Sequence, residues 1–239
     1  MLEISKVSYS YGGNSVFSDV SLNVAPGSFY FLTGPSGSGK TTFINLCAGA
    51  LIPEIGSINV FGKDTQTMTS YDLSKMRQRL GIVHQNCEFL DHLSIEENIA
   101  LPLSVAGLDS IKERANIFEL MKWVGLHSKS KFKPEELSGG ERQRAALARA
   151  VIMSPEIILA DEPTGNVDWE MSQRLLTLLL ELNKMGKTIF ISTHDLSLVR
   201  LAKSKVKART LRISNLKLSQ AGACLLYTSP SPRDVGESR

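Results

Sequence analysis

The chain has 239 residues, 42% of them apolar and 21% charged, with a formal net charge of +3. This is ordinary globular composition, with material for a full core and too little charge to argue for nucleic acid as a partner. No run of 18 apolar residues occurs, the N-terminus lacks a basic stretch followed by an apolar one, and Cys47, Cys87 and Cys224 share no metal-ligand spacing, so neither a membrane span, export nor a disulfide framework is expected and the chain suits a reducing cytosol.

In chain order, Leu2, Ile4, Val7, Val16, Val20, Leu22 and Val24 alternate in short runs, predicting an antiparallel patch with a turn at Gly12-Gly13-Asn14. Pro26-Gly27 turns the chain into Phe29–Leu32, an apolar run that reads as a buried strand. Then comes Gly34-Pro35-Ser36-Gly37-Ser38-Gly39-Lys40-Thr41-Thr42, followed by Phe43, Ile44, Leu46 and Cys47 at helical spacing. Strand, glycine loop and helix make the setting of a phosphate-binding loop. Glycines let backbone N–H groups converge on an anion, and the helix start adds the positive end of its dipole. Lys40 can reach terminal phosphates as a point charge, and the Thr41 hydroxyl suits Mg²⁺. Tyr11, beside the first turn, could stack on a base or simply end a strand.

Further on, Pro53 to Gly56 predicts a turn, Ile58 to Phe61 a strand, and Gly62-Lys63-Asp64 another turn. Leu80 to His84 reads as a strand ending at Gln85. From about 86 to 154 the pattern is helical, with Ser110 and Glu113 as a capping pair, an apolar stripe through Ile117, Leu120, Met121 and Val124, and Gly125 as a stop. Ile157–Ala160 is a continuous apolar run of the kind buried in a parallel sheet, and it ends in Asp161-Glu162. A helix carrying Met171, Leu175, Leu178, Leu179 and Leu182 follows, then a strand from Thr188 to Ser192 that ends near His194. Three strands thus deliver polar residues at their carboxyl ends, where an open parallel sheet holds its ligand. Lys203, Lys205, Lys207, Arg209 and Arg212 read as a solvated basic run, with Thr210 to Ile213 as one more strand. Residues 220–239 read as a disordered or non-native tail, since Leu225 to Asp234 resembles translated adaptor sequence.

Leu137-Ser138-Gly139-Gly140-Glu141 is the second informative stretch. Ser138 and Glu141 form a capping box, but two glycines in a first turn each cost about 1 kcal/mol against alanine. What they gain is a helix start that a phosphate can approach closely.

With these motifs in place the chain resembles the ATP-binding subunit of ABC transporters over roughly residues 1–200. Gly34–Thr42 matches Walker A, Gln85 the Q-loop, Leu137–Glu141 the signature, Ile157–Asp161 Walker B, Gly165–Asp168 the D-loop and His194 the switch histidine. The resemblance implies an α/β P-loop NTPase core over residues 1–219, mostly parallel with an N-terminal antiparallel patch, and a helical subdomain inserted at about 86–154. It implies that Glu162 is the catalytic base, assisted by His194, Lys40 and Gln85, and that Tyr11 stacks on adenine. ATP would be held by Gly34, Pro35, Ser36, Gly37, Ser38, Gly39, Lys40, Thr41 and Thr42, with Ser138, Gly139, Gly140 and Asp168 of a second copy closing over it. Thr41, Gln85 and Asp161 would serve Mg²⁺.

The partners implied are a second copy of the chain and an integral membrane protein, with the complex on the cytoplasmic face of a bacterial inner membrane and no nucleic acid. The spacing between Lys40 and Leu137 leaves no room for the long coiled coil of chromosome-maintenance relatives. Within the family, Phe31–Pro35, Leu90–Leu93, Asn98–Leu103 and Ala160–Asn166 look like the bacterial cell-division branch, although the last block is shared with lipoprotein-releasing and macrolide-exporting ATPases. Val167 and His84 depart from the leucine and phenylalanine more usual there. Phe89, Leu90 and Leu93 are expected to line a groove for a short helix of the membrane partner.

Overall fold

A computed structural model describes residues 1–109, 112–165 and 167–220. Ser110, Cys224, Asn166 and the tail from 221 onward therefore lie outside the described residues.

The N-terminal alternation folds as expected. Strand β1 (Leu2–Tyr11) pairs antiparallel with β2 (Asn14–Val24) on one side and β4 (Ile55–Val60) on the other. Gly62 still turns the chain, but Lys63–Asp64 pair back on Val60 and Asn59 as a two-residue strand, β5, rather than continuing the turn. The inward residues Leu2, Ile4, Val7, Val20, Val24, Ile58 and Val60 are buried against α1 (Lys40–Cys47) and the main sheet, where Cys47 joins them. Burial pushes the Cys47 thiol well above its ordinary range, so it behaves as a core residue.

The main sheet runs β10-β9-β3-β8-β7-β6. Its centre is β3 (Phe29–Thr33), parallel to β8 (Thr188–Ser192) on one side and to β9 (Ala208–Ser214) on the other. Strands β7 (Ile157–Asp161) and β6 (Leu80–Val83) extend the parallel run. Every residue of β3, β7 and β8 is buried, as a sheet covered on both faces requires. Tyr30 stacks on Phe190 across the sheet at 4.8 Å between ring centroids.

On one face lies α1. On the other lie α5 (Gly139–Val151), α6 (Trp169–Lys184) and α7 (Leu196–Lys203), whose apolar sides meet Phe29, Phe31, Ile158, Ile189 and Ile191. Between β6 and β7, α3 (Ile95–Val105) and α4 (Arg114–Trp123) build a separate apolar cluster with α5 through Ile95, Ile99, Leu103, Ile117, Met121, Leu126, Ala145 and Ala148. Helix α4 begins at Arg114, with Glu113 at its N-cap and no side-chain cap bond, and stops at Gly125, whose φ is +69°.

Three further elements were not expected from the sequence: α7 above, one more helix and one more strand. Helix α2 (Ser70–Gln78) buries only Met76. Strand β10 (Lys217–Gln220) closes an antiparallel hairpin on β9.

Candidate active site

Four parallel strands end together. Behind β3, the loop from Gly34 turns through Gly39, whose φ is +99°, into α1. A side chain at Gly39 would strike Val16 at 2.5 Å and Phe17 at 3.1 Å, so only glycine lets the loop lie so close to the β1–β2 hairpin. No side chain caps α1, and its N-terminus opens on the loop. Lys40 is 8% exposed, and its Nζ donates to the carbonyls of Gly34 and Pro35, each at 3.1 Å. The buried Ser38 hydroxyl has no hydrogen-bond partner among the described residues.

After β7 the chain bends sharply. Asp161 is 3% exposed, and its Oδ1 accepts the hydroxyl of Ser192, its register partner on β8. Glu162 sits at φ +46°, a left-handed conformation that a glutamate rarely adopts. Its amide donates to the Ser192 carbonyl at 3.1 Å and to the Ser192 hydroxyl at 2.9 Å. One serine therefore holds the Asp161 carboxylate and the Glu162 backbone. The Glu162 side chain projects between two cationic or donor groups: Oε1 lies 3.6 Å from Lys40 Nζ, and Oε2 lies 3.0 Å from His194 Nδ1.

These groups line one cavity of about 560 Å³, within the usual range for small-molecule sites. Among the described residues its walls are Tyr11, Val16, Gly34, Pro35, Ser36, Gly37, Gly39, Lys40, Thr41, Thr42, Gln85, Glu162 and His194. Tyr11 is half-exposed and stands edge-on to Tyr9 at 5.0 Å. Asp161 lies behind the wall. Ser38 contributes backbone to the loop while its hydroxyl turns inward. The residues that the sequence reading missed are Val16 and Ser192. Ser192 was within reach, because in-register pairing sets the ends of β7 and β8 side by side.

Ser138, Gly139, Gly140 and Asp168 are not among the residues lining this cavity. Ser138 caps α5, its Oγ accepting from the Glu141 amide at 3.3 Å while the Glu141 carboxylate accepts from the Ser138 amide at 2.9 Å. Asp168 caps α6 through the Met171 amide at 2.8 Å. Gly139 lines a second cavity of about 410 Å³ together with Arg142 and Gln143 of α5 and with residues 85–89 and Asp91. Gln85 belongs to both cavities and so stands between the phosphate loop and the helix starting at Gly139.

Of the residues expected to line a partner groove, Phe89 lies on the 410 Å³ cavity and Leu90 is 41% exposed. Phe89 is half-buried between the apolar clusters, its ring under the guanidinium groups of Arg149 at 4.7 Å and Arg142 at 5.7 Å. Buried Asn98 ties the neighbouring loop through the Leu90 amide and the Leu90 and Leu93 carbonyls. A further cavity of about 440 Å³ lies to one side, its lining including Ser74, Ile82, His84, Pro102, Val105 and Met153.

Hydrogen bonding to Lys129, with the capping bonds to Ser138, holds the Glu141 carboxyl below the usual range against the opposing effect of burial. Because the folded value is depressed, the stabilisation is complete above the unfolded glutamate pKa of about 4.3 and is lost as pH falls through the folded value. The denaturation midpoint of the wild type, relative to Glu141→Gln, is expected to stay constant from neutral pH to about pH 5 and to fall below that. A difference that stays flat into strong acid would show that the cap carries no titrating charge.

A family model described as ABC transporter matches residues 17–165. Over 202 residues, 84% of the chain and 93% of the relative, it is 36% identical to the cell division ATP-binding protein FtsE of Haemophilus influenzae. The FtsE of Escherichia coli K12 is 37% identical over 83% of the chain and 90% of its own length. The methionine import ATP-binding protein MetN of Clostridium acetobutylicum is also 37% identical, over 84% of the chain but 63% of its own length. Among solved structures, the dimeric post-hydrolysis state of the ATP-binding cassette MJ0796 bound to ADP and Pi superposes with a TM-score of 0.82 at 30% identity, covering 92% of the chain and 98% of the other.

Proposed function

The chain belongs to the ABC transporter family of ATP-binding subunits, and on that premise we propose that two copies hydrolyse ATP at their shared interface and pass the closing motion to an FtsX-like integral membrane partner in bacterial cell division. It is an ATPase of the ABC type. The observation that carries the reading is Glu162, held by its backbone between Lys40 and His194 over the phosphate loop.

In this reading Lys40 and the loop amides hold the phosphates, Tyr11 stacks on adenine, and Glu162 accepts the proton of the attacking water. His194 orients Glu162 and the terminal phosphate. The work is positioning and electrostatics, as phosphoryl transfer demands. Mg²⁺ fits the donor set: Thr41 and Gln85 are exposed oxygen donors on the cavity wall, and Asp161 supplies a carboxylate anchored by Ser192. When bound, it would neutralise phosphate charge. Ser138, Gly139, Gly140 and Asp168 do not line their own chain's cavity, which supports their acting on the nucleotide of the other copy. The MJ0796 cassette, a dimer bound to ADP and Pi, supports a two-copy unit.

Gln85 offers a path from site to partner. It follows β6, lines the phosphate cavity, and opens the 410 Å³ cavity that reaches α5. The 440 Å³ cavity lies against the same strand, through Leu80 and Ile82. A membrane partner seated there would touch the core strand and the α3–α5 layer together, and we take that layer (about 86–154) as the moving subdomain. Among the described residues no helix is long and apolar enough to cross a membrane. The chain would thus attach to the cytoplasmic face through its partner.

Depleting the chain in its source bacterium is expected to give filamentous or chained cells with lipoproteins correctly placed. Mislocalised lipoproteins with normal septation would replace the division role with lipoprotein release and leave the ATPase reading standing.

A further inference from the structure

The start of α5 holds a charge that works against its proposed task. A helix N-terminus attracts anions, and the signature helix is proposed to offer its first amides to the triphosphate held by the other copy. Yet Glu141, the third residue of α5, is itself an anion within one turn of those amides. It satisfies the same dipole that the phosphate would use. Nor can it swing aside: Oε2 accepts from the Ser138 amide at 2.9 Å, so moving the carboxylate undoes the cap.

Lys129 answers this charge. It closes the short 3-10 turn His127–Lys129 that follows α4, and its Nζ reaches Glu141 Oε1 at 2.7 Å. The two side chains are only 31% and 17% exposed, so the contact is better shielded from solvent than a typical surface pair. The ammonium also lies 5.4 Å from the centroid of the Phe132 ring, which restricts where it can go. Arg144, one residue further along the helix from Gln143, feels the same carboxylate but donates to Met171 instead. The loop carrying Lys129 is itself tied to α3, since the Ser130 and Phe132 carbonyls accept from the Glu96 and Ile95 amides at 3.0 and 2.9 Å.

We propose that Lys129 is a positioning residue for the half-site in trans: by neutralising Glu141 it keeps the α5 N-terminus attractive to the triphosphate of the second copy. The proposal rests on the two-copy reading given above, and it concerns closure of the dimer rather than nucleotide capture by one chain.

The test uses the full chain in a Glu162→Gln background, where ATP-bound dimer accumulates and can be counted by gel filtration over an ATP titration. Lys129→Met is expected to weaken each shared site roughly threefold, so the overall dimerisation constant falls about tenfold and, with two ATP molecules per dimer, the ATP concentration needed for half-dimerisation rises roughly threefold. Its affinity for a fluorescent ATP analogue as a monomer should be unchanged. Lys129→Arg should restore most of the dimer. Adding Glu141→Gln to Lys129→Met should also restore it, because the unneutralised charge is then gone while an amide can still cap Ser138. Rescue by Glu141→Gln separates the charge role from simple loss of packing. Dimerisation of Lys129→Met at the parent ATP concentration would overturn the proposal, and so would a deficit that Glu141→Gln fails to repair. Absence of dimer in Glu162→Gln alone would instead remove the two-copy reading, and the proposal with it.

Discussion

Replacing Glu162 by glutamine is expected to lower ATP turnover by on the order of 10²–10⁴ while ATP still binds and an ATP-bound dimer accumulates. The argument starts from the backbone. Glu162 holds φ at +46°, with its amide donating to both the carbonyl and the hydroxyl of Ser192. Main chain and sheet therefore aim the side chain, and glutamine, of the same size, will be aimed the same way. Only the proton acceptor is lost. ATP affinity should hold, because Lys40 no longer divides its charge between phosphate and Glu162. Phosphate release and gel filtration with ATP check both halves. Undiminished turnover would reject the base role, and a monomer at saturating ATP would reject the shared interface.

Lys40→Ala is expected to weaken nucleotide binding at least tenfold. Charge-assisted hydrogen bonds are worth roughly 1.5–3 kcal/mol each, and about 1.4 kcal/mol corresponds to a factor of ten. No ATP-dependent dimer should form. This variant also leaves Glu162, 7% exposed, with His194 as its only charge partner among the described residues, and a buried carboxylate robbed of its cation destabilises a fold. A lower melting temperature is therefore expected. Adding Glu162→Gln should recover the melting temperature and leave ATP binding lost, which separates the two duties of the lysine. Calorimetric titration and a thermal melt read them independently; wild-type affinity in a folded Lys40→Ala chain would reject the phosphate-loop assignment.

The parts of the fold that were legible in the sequence are those where one residue type has one use. Phe29–Leu32, Ile157–Ala160 and Thr188–Ser192 are apolar runs with no polar face, and buried parallel strands are what such runs make. The phosphate loop, Gln85, Glu162 and His194 then converge because parallel strands end on one edge. Helix α2 was missed because eight of its nine residues are not buried and no apolar stripe marks it. Its one local signal is the Thr69–Asp72 capping box. Strand β9 was half seen. Arg209 and Arg212 are exposed as a solvated basic run requires, but the intervening Thr210 and Leu211 are buried, and Arg209 reaches the Tyr30 hydroxyl at 2.8 Å. Phe89 could not be placed from the sequence. An aromatic side chain in a loop looks the same in sequence whether it faces a partner or lies under two arginines of its own chain.

The place of β3 in the sheet also bears on synthesis. Both neighbours of this strand, β8 and β9, come from the last quarter of the described chain: Phe29 pairs with Ile189 on one side and Ala208 on the other. The ribosome therefore makes the phosphate loop early and its supporting walls late, and the loops closed by these pairings are among the longest the chain permits. Until β8 and β9 emerge, the aromatic run Phe29-Tyr30-Phe31 has both edges unpaired and its apolar faces uncovered, which is the condition that invites aggregation. Ser192 and His194 arrive with the same late segment. Competence to hold and cleave ATP is thus acquired in one step once β8 and β9 have emerged, and a chain stopped before them cannot spend nucleotide.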